Sequence, residues 1–245
     1  MKVLITRPVE DAKPLAARLG RMGIESLIEP LMAIRVLAGA PLALKGVQAI
    51  LATSANGVRA LAAREERRDI PLYAVGDATA REARAAGFTR VESAAGDVAA
   101  LAAHVRARLN PSQGALLHVA GSVVAKDLSV LLKKNGFVCR RAVLYEAVPA
   151  ESLSRAGVRA IRAGQIAGIF FFSPRTADVF VRLARRARIV GACGALTVFA
   201  LSPAVARKAA SIRWRECRTA AEPTQAALLA ALRTWIKKSS TYGRS

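Results

Sequence analysis

The chain has 245 residues, with 38 Lys and Arg against 17 Asp and Glu, a formal net charge of +21, and 53% hydrophobic residues. That length allows one large or two modest domains with adequate cores, and no apolar run approaches the ~18 to 20 residues that a membrane span requires. Three cysteines without CxxC spacing (Cys139, Cys193, Cys217) and only two histidines (His104, His118) argue against a disulfide framework or a zinc site.

The same features set the expected partners and location. Met1-Lys2 leads straight into the strand-like VLIT, so no signal peptide is expected, and the cysteine usage suits a reducing cytoplasm. Basic residues are scattered over helix faces, with no basic arm and no interleaved aromatics, so a nucleic-acid partner is not expected. The charge reads either as a compositional bias of the surface or as a basic cleft for an acidic small molecule.

In chain order, each apolar run ends in a small polar residue and gives way to helical periodicity. Val3 to Ile5 ends at Thr6-Arg7-Pro8, where Glu10-Asp11 reads as a first helical turn; Ile24 to Glu29 is the next strand, bounded by Pro30. Ala49 to Ala52 ends at Thr53-Ser54, and Ser54 caps a helix through Arg64, with Glu65-Glu66 taken as part of a charged surface helix. Leu72 to Val75 ends at Gly76-Asp77, before a helix stopped by Gly87. A short strand at Arg90 to Glu92 precedes Asp97, which caps a helix broken by Asn110-Pro111, and Leu116 to Val119 ends at Ala120-Gly121. Ile166 to Phe172 ends at Ser173-Pro174, Leu196 to Ala200 ends at Leu201-Ser202-Pro203, and Glu222-Pro223-Thr224 starts the last helix. Lys237-Lys238 then leads into a tail, 239–245, expected to be flexible.

A unit occurs twice. At a constant shift of 113 positions, Leu128 meets Leu15, Leu132 meets Leu19, Gly136 meets Gly23, Phe137 meets Ile24 and Leu144 meets Leu31. The stretches after Gln48, from Tyr73 and from Ser93 resemble those from Ile169, Phe199 and Thr219, with the closing block moved to the N-terminus in the second set. This order predicts a discontinuous domain of 1–34 with 150–238 and an inserted domain of 37–146. Runs such as ILAT, IFFF and LLHV lack alternation and suit strands buried on both faces. The expected fold class is therefore α/β: two similar, doubly wound, flavodoxin-like domains with parallel sheets of about five strands each.

In such sheets ligands gather beyond the carboxyl ends of the strands, where helix N-termini present unpaired N–H groups. Those ends carry Thr6, Ser54, Gly76, Thr79, Gly121, Ser122, Ser173 and Ser202, which suit carboxylates or phosphates; each also reads as a simple helix cap. No dinucleotide or P-loop glycine pattern, GxSxG elbow or Ser/His/Asp set is evident, and His118 on its strand reads as a packed core histidine. Tyr145 is a polar aromatic on an apolar strand that leads into the interdomain crossing. A phenol keeps its proton at neutral pH and can donate to a leaving hydroxyl.

Thr6-Arg7-Pro8, TSANGVRAL from Thr53, YAVGDATAREARAAGF from Tyr73, AGDVAAL, LLHVAG, the VLYEA crossing and FFFSPRTA from Phe170 together resemble uroporphyrinogen-III synthase, over nearly the whole chain to about Trp235. The resemblance implies two α/β domains joined by a two-stranded linker, and a monomer. It also implies conversion of the linear tetrapyrrole hydroxymethylbilane, a polycarboxylate, to uroporphyrinogen III without cofactor or metal. Tyr145 matches the family's cleft tyrosine. Arg7 and Arg175 become candidate carboxylate partners, and Asn56, which faces Arg175 in the internal alignment, joins the residues expected to contact substrate. The alternative is a non-catalytic bilobed binding protein for anionic metabolites.

Overall fold

Continuous apolar strands force helices onto both faces of a sheet, and both sheets of this protein are built that way. The computed structural model describes residues 1–123 and 128–242. The chain divides into two compact units, Met1–Ala33 with Val148–Ser245, and Ile34–Ala147. From the amino end, β1 (Lys2–Ile5), α1 (Val9–Gly20) and β2 (Glu25–Ile28) open the first unit, and β3 (Met32–Val36) carries the chain into the second. There follow β4 (Val47–Ala52), α2 (Ala55–Ala62), β5 (Leu72–Ala74), α3 (Asp77–Ala85), β6 (Val91–Ser93), α4 (Val98–Arg108), β7 (Ala115–Gly121), α5 (Leu128–Lys133) and β8 (Cys139–Pro149). The end of β8 returns the chain to the first unit, which α6 (Arg155–Arg162), β9 (Ile166–Phe171), α7 (Pro174–Arg186), α8 (Val190–Cys193), β10 (Thr197–Ala200), α9 (Pro203–Ala209), β11 (Glu216–Thr219) and α10 (Gln225–Tyr242) complete.

In the first unit the strand order is β11-β10-β9-β1-β2, with every pairing parallel. In the second it is β3-β8-β7-β4-β5-β6, and β4 to β8 are mutually parallel where they pair. The core alternates across each sheet. Val3 and Ile5 of β1 pack with α1 and α10, while Leu4, equally buried, points to the opposite face. On β4, Ile50 and Ala52 join a cluster with α2 and α3, whereas Ala49 and Leu51 join one with α4 and α5. Gly23 and Gly136, which the internal alignment superposes, both follow a helix and take positive φ of 72° and 81°. Only glycine reaches that conformation without a Cβ penalty, so it ends both helices in the same way.

Three local expectations change. Glu65-Glu66 lies beyond α2, because the Arg68 guanidinium donates to the carbonyls of Ala62 (3.1 Å) and Ala86 (2.9 Å) and fixes the chain out of helix. Strand β11 escapes sequence reading because ECRT sits at the sheet edge, half solvated and without an apolar run. Helix α10 continues through 239–242, where a tail is expected, since no Gly or Pro interrupts it there; 243–245 lie outside the described residues.

Candidate functional site

The parallel strands of the second unit send the residues after β4, β5 and β7 to one edge of the sheet, with Tyr145 of β8 beside them. At the end of β4, Ser54 caps α2 through an extended backbone, and its Oγ accepts the Gly57 N–H at 3.1 Å. The same Oγ lies 2.8 Å from Tyr145 Oη. Tyr145 reaches it through an irregularity in the β7–β8 ladder. Ala120 faces Val143, but the register shifts and the next residue, Gly121, faces Tyr145. Leu144 is passed over, so Leu144 and Tyr145 both pack toward the α2–α3 cluster instead of alternating. The phenol ring lies so close to Gly121 that a Cβ there would meet Tyr145 Cζ at 2.9 Å. Glycine is required by that contact alone.

The neighbouring predicted residues divide by charge. Ser122, exposed, donates its backbone N–H to the Tyr145 carbonyl at 2.9 Å, closing the β7 end onto β8. Asn56 accepts from Arg59 at 2.8 Å, and Arg59 also pairs with Glu82 at 2.8 Å, so the Asn56 carbonyl oxygen is already engaged. Gly76 caps α3, and Thr79, 5% exposed, lies in its first turn, but Asp77 stands in the same turn and accepts from Ser93 Oγ at 2.7 Å. A carboxylate already meets the positive helix end there, which opposes a second anion. Asp97 occupies the N-terminus of α4 likewise, accepting the N–H groups of Ala99 and Ala100. The first turn of α2, by contrast, holds no acid.

The first unit repeats the division. Thr6 is fully buried, and its Oγ1 donates to the Phe170 carbonyl at 2.6 Å. Its hydroxyl proton therefore ties β1 to β9. Arg7 is held on three sides, by Gln225 Oε1 (3.0 Å), by Asp11 (3.4 Å) and over the Phe172 ring (4.6 Å). Ser173 caps α7, accepting the Thr176 N–H at 3.1 Å and lying 2.7 Å from Thr176 Oγ1. Arg175 is exposed in the same acid-free first turn. Ser202 caps α9 without a side-chain bond, and that turn is acid-free as well. Among the helix ends that carry the predicted residues, those suited to carboxylates are thus α2, α7 and α9.

Two buried polar contacts escape sequence reading. Glu29, 3% exposed at the end of β2, accepts the Ser154 N–H at 2.8 Å and the Ser154 hydroxyl at 2.5 Å, so that an acid already fills the N-terminus of α6. Buried His118 lies with Nε2 3.2 Å from Thr53 Oγ1, in keeping with a packed histidine. Burial pushes the Cys193 thiol up to about 11, which keeps it protonated and unreactive at neutral pH. Among the described residues no three His, Cys, Asp or Glu side chains gather as metal ligands, and no helix is long and apolar enough to cross a membrane.

The family model for Uroporphyrinogen-III synthase HemD matches residues 13–230. The chain belongs to the uroporphyrinogen-III synthase family. Solved structures agree in fold. The uroporphyrinogen-III synthetase of Helicobacter pylori 26695 matches with a TM-score of 0.63 at 15% identity, covering 96% of this chain and 100% of that one. A mutant uroporphyrinogen III synthase of the extremely thermophilic bacterium Thermus thermophilus matches with a TM-score of 0.51 at 16% identity, covering 97% of this chain and 99% of that one. No curated protein matches the sequence significantly. Membership in the uroporphyrinogen-III synthase family makes the protein a lyase of tetrapyrrole biosynthesis, and the α/β fold with parallel sheets is the one these synthases share.

Proposed function

We propose that the Ser54–Tyr145 hydroxyl pair at the acid-free N-terminus of α2 is the chemical centre at which hydroxymethylbilane is dehydrated and closed to uroporphyrinogen III. The 2.8 Å separation of Ser54 Oγ and Tyr145 Oη carries this reading. Ser54 Oγ already accepts the Gly57 N–H, so its own proton can be given to Tyr145 Oη; the phenol proton is then free for the substrate. Tyr145 donates that proton to the departing hydroxymethyl oxygen, which leaves as water, and the substrate is left as an azafulvene still protonated at nitrogen, an electron-poor cation. The substituted carbon of the terminal pyrrole attacks the azafulvene carbon to give a spiro intermediate, whose rearrangement inverts that ring. The proton finally released from the ring-closing carbon restores the phenol. Ser54, donating to Tyr145 Oη, stabilises the phenolate in the interval.

The substrate's carboxylates need partners that do not compete with resident acids. In the second unit the N-terminus of α2 meets that requirement, with Ser54 as its cap and Gly121 and Ser122 beside Tyr145; in the first unit, taken by itself, the N-termini of α7 and α9 do, with Ser173 and Ser202 as caps and Arg175 exposed in the first turn of α7. Arg7, braced by Asp11, Gln225 and Phe172, serves as a fixed cation. Asn56, in the first turn of α2, has its side-chain oxygen engaged by Arg59, and Gly76 and Thr79 offer backbone and polar groups at the α3 terminus that Asp77 already fills.

The strand order of the first unit, 2-1-3-4-5 in its own chain order, supports reading each unit as a flavodoxin-like domain, with the second a permuted copy. The β3 and β8 segments form the linker in this reading, and the protein acts as a cytoplasmic monomer. The test is direct: purified protein supplied with hydroxymethylbilane should yield the type III isomer. Accumulation of the spontaneous type I product alone would overturn the assignment.

A further inference from the structure

The first unit holds a basic recess near the amino ends of β1 and β9. Lys2 opens β1 and Gln165 stands just before β9, so both mark the amino ends of parallel strands, whereas Arg7, Ser173 and Ser202 follow their carboxyl ends. Beside Lys2 and Gln165, helix α6 contributes Ala156, Arg159, Ala160, Arg162 and Ala163, and β2 contributes Leu27, to a groove of about 740 Å³. None of the lining residues is acidic. That volume lies within the ~300–1,000 Å³ range of small-molecule sites.

The cations around the groove are differently committed. Lys2 pairs with exposed Glu25 at 3.2 Å, a surface contact of little strength. Arg162 donates one nitrogen to the Ala187 carbonyl at 3.0 Å, which orients its guanidinium without neutralising it. Among the described residues the Arg159 guanidinium makes no hydrogen bond or ion pair. Arg159 and Arg162, three positions apart, sit on neighbouring surface positions of one helix. The surrounding stretch reinforces them: from 151 to 215 only Glu151 and Asp178 are acidic, against twelve Lys and Arg. Leu27 and the alanines supply an apolar floor that a bare inorganic ion would not use.

We infer that this groove is a binding site for an apolar-bodied polycarboxylate, its body laid on Leu27 and the α6 alanines and its carboxylates paired with Arg159, Arg162 and Lys2. The inference does not depend on the catalytic assignment, since the groove is built within the first unit and the Ser54–Tyr145 pair within the second.

Uroporphyrin I serves as probe, with pyrophosphate and tricarballylate as anions lacking an apolar body. Phenylglyoxal modification of the full chain, mapped by mass spectrometry, reads the site directly. Uroporphyrin should slow modification of Arg159 and Arg162 by about tenfold while sparing Arg213, and the small anions should not do so at equal concentration. The exposed double charge reversal R159E/R162E should weaken uroporphyrin binding at one class of site by about tenfold or more, with type III isomer formation unchanged. Unprotected Arg159 and Arg162, or equal protection by pyrophosphate, or wild-type uroporphyrin binding by the double variant, overturns the site. Failure of type III formation in the wild type bears only on the catalytic reading.

Discussion

The hydroxyls of Ser54 and Tyr145 lie 2.8 Å apart although 91 positions separate them in the chain. Each reaches the other by a different device. Ser54 is fixed by capping α2, and Tyr145 by the register shift that sets it opposite Gly121.

Tyr145→Phe removes the hydroxyl and keeps the ring on Gly121. Turnover of hydroxymethylbilane should fall by roughly 100-fold or more, the magnitude of a lost general acid, while the thermal midpoint stays within a few degrees of wild type. Unchanged turnover takes Tyr145 out of the chemistry.

Ser54→Ala breaks both the helix cap and the bond to the phenol. We expect a loss of about 1 kcal/mol in denaturant unfolding from the cap, together with reduced turnover. Ser54→Gly should recover most of the stability, because glycine is a fair cap, but none of the activity. Recovery of both by Gly would show that Ser54 acts on the helix alone.

Gly121→Ala places a methyl 2.9 Å from Tyr145 Cζ and must displace the ring. Activity should drop although no reactive group is lost. In a double-mutant cycle, Gly121→Ala added to Tyr145→Phe should cost far less activity than it does alone, because the two act through one group. Additive losses in that cycle would be evidence against ring displacement as the cause.

Glu29→Ala leaves the Ser154 N–H and hydroxyl without their acceptor and separates the β2 end from α6, two parts of the first unit that arrive from distant positions in the chain. Urea unfolding should show a loss of about 2–3 kcal/mol. A loss below about half a kcal/mol would mean that water replaces the carboxylate.

Cys193 is fully buried, and burial raises its thiol from 9.0 to about 11. The folded state therefore keeps a proton that the unfolded state releases. Its contribution is fully present below pH 9 and is lost as pH rises through 11, about 3 kcal/mol at most. Cys193→Ala should flatten the denaturant midpoint across that window, and a slope as steep as wild type would assign the alkaline loss to other groups.

Read alone, the sequence already located the α/β pattern, most strands and helix caps, and the side chains worth testing. The reason is local: apolar runs without alternation, caps such as Ser54, Asp97 and Ser173, and glycines such as Gly23 and Gly136 act within a few residues of themselves. It missed β11 because an edge strand buries too little to leave an apolar run. It also could not rank the strand-end residues. Which helix termini were already filled by Asp77, Asp97 and Glu29, and that the Thr6 hydroxyl was spent on Phe170, depended on contacts made across the chain. The aim of Tyr145 was likewise decided by the tertiary structure, since strict alternation would turn it away from Leu144. Only the shift in the β7–β8 register brings both to one face and puts the phenol against Ser54.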